Sequence, residues 1–393
     1  MLTQAPLPGL SADELAHAGR VAAHLRQTIA AAGGWIPFSR FMQQALYAPG
    51  LGYYSAGTRK FGAAGDFVTA PGLTPVFARC LATQVAGVLA QLGGGCVLEA
   101  GAGDGAMAAD LLAALAARGA APARYDILEV SADLRERQRA TLAARVPEML
   151  ERVRWIDAPP DEPWDGVLVA NEVLDALPVE RFVMRGGEVA SLGVAVREGR
   201  LAWCEGPASE RLVEAVRHIE RDTGAAWPEG YFSEVNLALG PWLGAIAAAL
   251  ARGVMLFVDY GLPRREYYSP ERSEGTLLCH FRHRFHEDPF ARPGLQDITA
   301  WVDFTAVAEA ALAAGLDLAG YTTQAHFLLG SGIDGFLAEA AGLGVVPRAQ
   351  FSRQAMLLTL PGEMGERFKV IALARAYGAR LRGFDLRDLR HTL

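Results

Sequence analysis

The segment CVLEAGAGDGAMAADLLAALAARG, from Cys96 to Gly119, limits the possible folds of this chain more than any other. A short apolar run leads into alternating glycines, and a stretch with helical apolar spacing follows. A strand that turns at glycines into a helix directs backbone N–H groups and the positive end of the helix dipole toward one point. The segment therefore predicts a ligand-binding bend at the carboxyl end of a strand.

Short apolar runs continue to alternate with helical stretches after this bend. YDILEV, VRWID, DGVLVAN and GVMLFVDYG are the further runs. This alternation predicts an α/β fold, a parallel sheet with helices on both faces. Residues 181–204 instead alternate apolar and polar side chains around Gly186-Gly187 and Glu198-Gly199, which predicts an inserted β-hairpin or meander. Residues 13–31, 38–46 and 75–92 have the spacing of helices.

Composition excludes several classes of protein. The 393 residues are 51% hydrophobic and can bury a large core, and the net charge of −7 is spread along the chain, so no basic face suits a nucleic acid. Cys80, Cys96, Cys204 and Cys279 form no Cys-x-x-Cys pair, which favours reduced thiols over a disulfide framework or structural zinc. No secretory signal is evident, and the longest apolar stretch, Pro241 to Leu250, is too short to span a bilayer. We expect a cytoplasmic protein without a membrane span.

The sequence of the glycine bend matches the binding motifs of two different ligands. Gly101, Gly103 and Ala106 match the dinucleotide fingerprint, whereas Gly101, Gly103 and Gly105 match the looser pattern of enzymes that use S-adenosylmethionine (SAM). Either ligand calls for an acid at the end of the second strand to bind ribose hydroxyls. Glu129, in ILEV, is at that position.

Two further acids favour SAM. Glu99 precedes the first glycine by two residues, where a carboxylate can face the cationic amino-acid end of SAM but would repel a pyrophosphate. Asp157 ends the third strand and can accept a hydrogen bond from an adenine amino group. A solvated acid at a strand end is an equally good interpretation of Asp157.

The fourth strand carries the candidate catalytic residues. Asn171, Glu172 and Asp175 follow it in ANEVLDALPVERF, at the edge where open α/β sheets place their chemistry. Asn171 and Asp175 also suit a turn or a helix cap. Two carboxylates so close together repel each other unless a cation or a donor lies between them, so we favour a functional role. Asp259 and Asp303 are secondary candidates.

His280, His283 and His286 recur every third residue beside Cys279, a spacing that raises the question of a metal site. That spacing suits metal ligands on one helix face, but the segment has no helical apolar stripe. We therefore expect no metal. The histidines are expected in a loop near the acceptor site, with His280 or His283 as a hydrogen-bond donor or proton relay.

The chain also carries a longer pattern of ordered segments, from about Ile36 to Ala372. These are LYAPGLGYYS, FGAAGDFVTAP, LEAGAGDG, ILEVS, ANEVLDALPVERF, FVDYG, EGTLLCHFRHRFHEDPFARPGLQDITAWVDFT and EMGERFKV. Together they resemble the MidA-like SAM-dependent methyltransferases. That family includes bacterial proteins and the mitochondrial complex I assembly-factor protein arginine methyltransferase.

The resemblance implies a class I methyltransferase fold. It is a Rossmann-like α/β fold with a seven-stranded, mostly parallel sheet whose last strand is antiparallel, an N-terminal helical extension and an inserted β-hairpin region. The implied domains are a helical segment with a cofactor-covering loop at 1–92 and the methyltransferase core at 93–393. Insertions into that core are expected at about 181–250 and 262–303.

The resemblance also implies which residues contact SAM. Gly101, Gly103 and the Glu129 carboxylate would hold the cofactor, and the loop GDFVTAP would fold over it with Asp66 and Thr69. The block from Asn171 to Pro178 matches the family at the acceptor side of the cofactor. SAM is the one cofactor that we expect.

The function predicted from these residues is direct in-line methyl transfer from SAM to a protein side chain such as arginine. Carboxylates form paired hydrogen bonds with a planar guanidinium group, and Glu172 and Asp175 are suited to this role. A small-molecule methyltransferase, a nicotinamide-dependent oxidoreductase and a non-catalytic assembly protein stay open as alternatives. Two roles stay open for the apolar hairpin near Phe182 to Trp203, covering a substrate site or forming a homodimer contact. The identity of the acceptor is open as well.

Overall fold

The chain divides into two units, which we describe separately. The computed structural model describes residues 7–56, 70–340, 342 and 344–393. Within these limits the unit that we call the sheet unit comprises residues 70–173, 240–261 and 304–393. The second, which we call the meander unit, comprises residues 7–56, 174–239 and 262–303.

The α-helices of the described residues carry labels in chain order. They are α1 Ala12–Ala31, α2 Phe38–Tyr47, α3 Ala70–Leu73, α4 Pro75–Leu92, α5 Ala106–Ala117, α6 Ala132–Arg145, α7 Glu210–Thr223, α8 Leu239–Ala247, α9 Arg264–Tyr267, α10 Phe304–Ala313, α11 Gln324–Gly330, α12 Ile333–Ala340, α13 Val345–Thr359 and α14 Met364–Arg367. Short 3₁₀ helices cover Pro147–Arg152, Arg382–Phe384 and Arg390–Thr392.

The strands are labelled in the same way. They are β1 Trp35–Ile36, β2 Cys96–Ala100, β3 Arg124–Leu128, β4 Val153–Ile156, β5 Trp164–Asn171, β6 Glu180–Arg185, β7 Glu188–Arg197, β8 Arg200–Gly206, β9 Phe232–Val235, β10 Leu250–Leu262, β11 Leu278–Phe281, β12 Arg284–His286, β13 Asp297–Thr299, β14 Val302–Asp303, β15 Asp317–Thr323 and β16 Phe368–Arg375.

Local sequence explains where several helices begin. Ser11 caps α1 with a reciprocal capping box, in which its hydroxyl accepts from the Glu14 N–H and the Glu14 carboxylate accepts from the Ser11 N–H. Thr74 caps α4 just before Pro75, a residue suited to the first helical turn. Ser131 caps α6.

A largely parallel sheet forms the centre of the sheet unit. Its strands follow the order β15, β16, β10, β5, β2, β3, β4, and β16 is antiparallel to both of its neighbours. The neighbouring pairs from β10 to β4 are all parallel. The predicted α/β class with a mostly parallel sheet is confirmed.

Helix α4 packs into the core of this sheet unit. Its Val85 and Val88 are fully buried in the same apolar cluster as Leu111 and Leu112 of α5. The division into units therefore does not follow the predicted boundary at residue 92, because the apolar side of α4 is buried against the sheet unit.

One helix of the described residues, α4, is long and apolar enough to cross a membrane by length and composition alone. Of its 18 residues, 56% are buried inside the protein, as in the core helix of a folded domain. The apolar stretch that the sequence offered, Pro241 to Leu250, forms most of the short helix α8 and the first residue of β10.

The meander unit is built on antiparallel strands. β6, β7 and β8 form the predicted meander, with turns at Gly186-Gly187 and Glu198-Gly199. β9 and β1 complete the sheet at β6 and β7. Helices α1 and α2 cover one apolar cluster, and α7 buries Leu212 and Val216 in another.

A small sheet of order β12, β11, β13 lies in a region expected to consist mainly of loops. β11 and β12 are joined by Arg282 and His283, whose φ angles are 48° and 60°. Tight hairpin turns of this kind are usually marked in the sequence by Asn-Gly or Gly-Gly. The absence of such a pair explains why the sequence did not predict the hairpin.

Candidate functional site

The glycine bend after β2 requires its glycines for two reasons. Gly101, Gly103 and Gly105 have φ angles of 70°, 55° and 85°, which side chains rarely adopt. In addition, a Cβ atom on Gly101 would lie 2.7 Å from the Val173 side chain, and one on Gly105 would lie 3.0 Å from Cα of Gln138. Neighbouring elements therefore approach this backbone too closely for any side chain.

Helix α5 begins directly after the bend. Gly105 is its N-cap residue, in the left-handed conformation, and Asp104 accepts a hydrogen bond of 3.1 Å from the Ala106 N–H. The Asp104 side chain thus caps the helix from the position just before the N-cap residue. The helix N-terminus carries partial positive charge at the carboxyl edge of the sheet, where an anionic ligand group is favoured.

Glu99 is fully buried just before the bend. The Tyr125 hydroxyl donates to its Oε2 at 2.5 Å, and its Oε1 has no hydrogen-bond partner among the described residues. Burial raises the pKa of Glu99 to about 7, with the charge of Asp104 acting in the same direction and the Tyr125 hydrogen bond against it. A buried acid with one unsatisfied oxygen fits a donor or a cation supplied by a ligand.

Glu129 is buried at the end of β3 and held at both carboxylate oxygens. The Ser131 N–H donates to Oε1 at 2.8 Å, and Nε2 of Gln138 donates to Oε2 at 3.3 Å. The carboxylate is thereby fixed in one orientation. Val130, the next residue, is 73% exposed and presents an apolar surface beside it that sequence reasoning missed.

The strand register places the polar groups on one face of the sheet. Glu99 is paired with Ile127 on one side and with Val169 on the other. Because side chains alternate along a strand, Glu129 and Asn171, each two residues further on, project from that same face. All three polar residues therefore lie at the carboxyl edge, as predicted for Glu99, Glu129 and Asn171.

Asn171 and Glu172 form a pair at the end of β5. Nδ2 of Asn171 donates to Oε1 of Glu172 at 3.0 Å, while the buried Oδ1 of Asn171 has no hydrogen-bond partner in the described part of the chain. Glu172 has a φ of 53°, and its N–H donates to the Val258 carbonyl at 2.8 Å. A strained non-glycine backbone at a strand end is a feature that clusters at functional sites.

The remaining acidic candidates have different surroundings. Asp157 is exposed and follows directly after β4. Asp175 belongs to the meander unit, where it is buried and its carbonyl accepts from the Ala300 N–H at 3.0 Å. Asp66 and Thr69 lie outside the described residues.

The two secondary candidates both hold structural contacts. Asp259, buried on β10, accepts from the N–H groups of Val173 at 3.2 Å and of Tyr260 at 3.0 Å. It thereby fixes the chain that follows Glu172. Asp303, in the meander unit, is paired with Arg264 at 3.2 Å.

The histidines occupy the hairpin of β11 and β12. His280 lies on β11, His283 is in the exposed turn and His286 is on β12. Burial lowers the pKa of His280 to about 4, and the neighbouring His286 acts in the same direction. No group of three or more His, Cys, Asp or Glu side chains suited to a metal was found among the described residues. The proton-relay role stays a prediction.

Comparison with known proteins agrees with the class that this site defines, a SAM-dependent methyltransferase. A family model for S-adenosyl-L-methionine-dependent methyltransferases matches residues 80–322, more than half of the chain. The chain belongs to this family, and within it to the MidA-like methyltransferases. Membership removes the nicotinamide-dependent oxidoreductase from the alternatives.

Two crystal structures from Burkholderia thailandensis match almost the whole chain. One is bound to S-adenosyl-homocysteine, with 46% identity, a TM-score of 0.93 and coverage of 99% of this chain and 100% of that one. The other is a native structure with 45% identity, a TM-score of 0.91 and the same coverage.

Curated relatives are more distant. A mitochondrial protein of Danio rerio named protein arginine methyltransferase NDUFAF7 is 27% identical over 390 residues, 89% of this chain and 86% of that protein. Its Drosophila melanogaster homologue is 26% identical over 387 residues, 90% of this chain and 85% of that protein.

SAM is the cofactor of the family, and the residues at the carboxyl edge of the sheet fit it. Oε1 of Glu99 and Oδ1 of Asn171 are buried acceptors that match donors of a polar ligand.

Proposed function

We propose that this methyltransferase modifies arginine side chains of a protein substrate. The observation that carries the proposal is the match, over about nine tenths of the chain, to proteins named as protein arginine methyltransferases. The Glu172 carboxylate, held by Asn171 at the end of β5, supports it, because a guanidinium needs a carboxylate partner.

For the cofactor, we assign a role to each residue of the carboxyl edge. The backbone of Gly101, Gly103 and Gly105 receives the amino-acid end of SAM together with the N-terminus of α5. Glu99 accepts from the cationic amino group through Oε1, and Glu129 accepts from the ribose hydroxyls. Bound SAM supplies an electrophilic methyl group on a positively charged sulfur.

Three further residues complete the proposed cofactor site. Asp157, exposed after β4, is suited to accept from the adenine amino group. Asp66 and Thr69, which lie outside the described residues, stay predicted cofactor contacts on the strength of the family resemblance.

For the acceptor, Glu172 is the residue that we assign to the guanidinium. An arginine side chain stays protonated in water, so a carboxylate must both hold it and take the proton that its nitrogen gives up. The Asn171 amide holds the Glu172 carboxylate in place. Alignment of an acceptor in this way can lower a barrier by about 7–11 kcal/mol. Asp175 stays a candidate second carboxylate.

The test uses radiolabelled SAM and an extract from cells of the source organism that lack the gene. We expect label in protein and, after acid hydrolysis, in methylarginine. Label confined to small molecules would overturn the arginine assignment and favour a small-molecule methyltransferase. No label in either fraction would contradict both assignments of substrate.

A variant locates the acceptor site. We expect Glu172→Gln to bind SAM within about 3-fold of the wild type in calorimetry but to transfer methyl groups about 100-fold more slowly, as for loss of a group used in the transition state. Glu198→Gln is the matched control, since Glu198 is also a left-handed glutamate, with φ 51°, at an exposed turn of the meander. Equal turnover in both variants would remove Glu172 from the reaction.

A further inference from the structure

Gln138 of α6 is fully buried and has a partner at each end of its amide. Its Nε2 donates to the Gly103 carbonyl at 2.9 Å and to Oε2 of Glu129 at 3.3 Å. Its Oε1 accepts from the indole N–H of Trp155, on β4, at 2.9 Å. One side chain thus joins the glycine bend, the end of β3 and β4.

Only one orientation of the Gln138 amide satisfies this network. The carbonyl of Gly103 and the carboxylate of Glu129 are acceptors, so both must face the amide NH₂. The indole of Trp155 is a donor, so it must face the amide oxygen. The two N–H bonds of Gln138 are therefore directed at two different parts of the proposed cofactor site.

Helix α6 supports the glycine bend at a second point. Thr141, one turn after Gln138 on the same helix face, donates from its hydroxyl to the Asp104 carbonyl at 2.8 Å. Two consecutive carbonyls of the bend, on Gly103 and Asp104, are thus tied to α6. Because the C=O and N–H of one peptide point in opposite directions, the N–H of Asp104 is turned away from the helix.

We propose that Gln138 is the positioning residue for ribose recognition, because it holds the Glu129 carboxylate and the glycine bend in one fixed relation. The inference rests on the cofactor site proposed above. Gln138 does not contact the nucleoside itself. It determines whether Glu129 can accept from the ribose hydroxyls while the bend holds the other end of the same ligand.

The test compares two probes, S-adenosylhomocysteine and its 2′-deoxy analogue, by titration calorimetry of the full-length protein. The wild type should prefer the first by about 10-fold or more, as expected for loss of a hydrogen bond to a charged group. Gln138→Met keeps the length of the side chain but loses both donors. We expect it to bind S-adenosylhomocysteine about 10-fold more weakly and to lose most of the preference between the two probes.

Gln84→Met is the matched control for this substitution. Gln84 is a buried glutamine of α4 in the same unit, and its amide oxygen accepts from the Gly383 N–H at 2.9 Å. The control should lose stability without a change in the preference for the ribose hydroxyl. If Gln84→Met alters that preference as much as Gln138→Met does, the effect is a general loss of packing and the inference is wrong.

A double variant tests the route through Glu129. In Glu129→Gln the carboxylate is gone, so adding Gln138→Met should change the ratio of the two affinities by less than about 2-fold. Two independent and additive losses would contradict the inference. If the wild type binds neither probe, the cofactor site itself is wrong, which is an outcome distinct from failure of the Gln138 role alone.

Gln138→Glu provides a readout that packing does not affect. Near pH 8 this variant would place two carboxylates side by side, and affinity relative to the wild type should be lowest. At acidic pH the introduced carboxyl group, once protonated, can donate to Glu129 again, so affinity relative to the wild type should recover. A pH-independent loss would contradict the positioning role.

Discussion

Each unit contains a buried glutamate, and the two carboxylates differ in how many of their oxygens have hydrogen-bond partners. Glu234 in the meander unit accepts from Arg181 at 2.9 Å on one oxygen and from the Thr276 N–H at 2.8 Å on the other. Glu99 in the sheet unit accepts from one tyrosine, and its second oxygen has no partner among the described residues. A fully paired carboxylate serves the fold, whereas one left half-paired at a strand end is suited to a ligand.

The largest effect is expected where the paired glutamate loses its cation. The Arg181 side chain is 7% exposed and packs over the rings of Trp203 and Phe232. Its positive charge compensates the charge of the Glu234 carboxylate. Arg181→Met should lower the free energy of unfolding by about 3–5 kcal/mol, because it leaves a buried charge uncompensated. Urea denaturation measures this loss.

The double variant Arg181→Met/Glu234→Gln tests whether the uncompensated charge of Glu234 causes that loss of stability. Removing the charge of Glu234 as well should restore part of the stability lost in Arg181→Met. A double variant that is no more stable than Arg181→Met would show that loss of the packing of Arg181 on the rings, and not loss of charge compensation, causes the destabilisation.

The second effect concerns Glu99 and pH. With a pKa of about 7 in the folded protein against 4.5 in the unfolded chain, the folded state binds more protons between these values. The free energy of unfolding should therefore fall as the pH rises from about 4.5 to 7, by about 3 kcal/mol from this group, and should then level off.

Glu99→Gln separates this contribution from that of other groups. The neutral side chain should remove the fall in stability across that pH range, as measured by urea denaturation at several pH values. It should also weaken binding of SAM by about 10-fold near pH 8, since the positive amino-acid end loses its counter-charge. An unchanged pH slope in Glu99→Gln would show that Glu99 is not the titrating group.

The contrast between the two units also shows what the sequence can predict. Apolar periodicity predicted the parallel strands and α4 because a buried strand or helix needs an apolar pattern of its own. The turn at Arg282 and His283 has no such local pattern, and its hairpin was missed. Glu99 was singled out by its distance of two residues from Gly101, and Glu129 by its place at the end of the second strand.

Supporting residues of the site were not predictable from spacing. Gln138 acts on the bend from a helix and Tyr125 acts on Glu99 from the adjacent strand, so each role depends on tertiary packing and register. One local signal existed for Tyr125. Tyr125 places a hydroxyl group in an otherwise apolar strand, and the strand beside it carries a buried acid. Because buried polar groups need hydrogen-bond partners, these two residues are expected to pair.

The smallest effect is expected when Glu99 loses its single donor. Tyr125→Phe removes the hydroxyl with little change in volume, and should lower the free energy of unfolding by about 1–2 kcal/mol. Because the Tyr125 hydrogen bond lowers the pKa of Glu99, that pKa should rise in the variant. SAM affinity, which needs the ionised acid, should then reach its plateau at a higher pH than in the wild type, as calorimetry across the pH range will show. If the midpoint stays in place while stability falls, Tyr125 serves packing alone, and Glu99 differs from Glu234 only in its position in the fold.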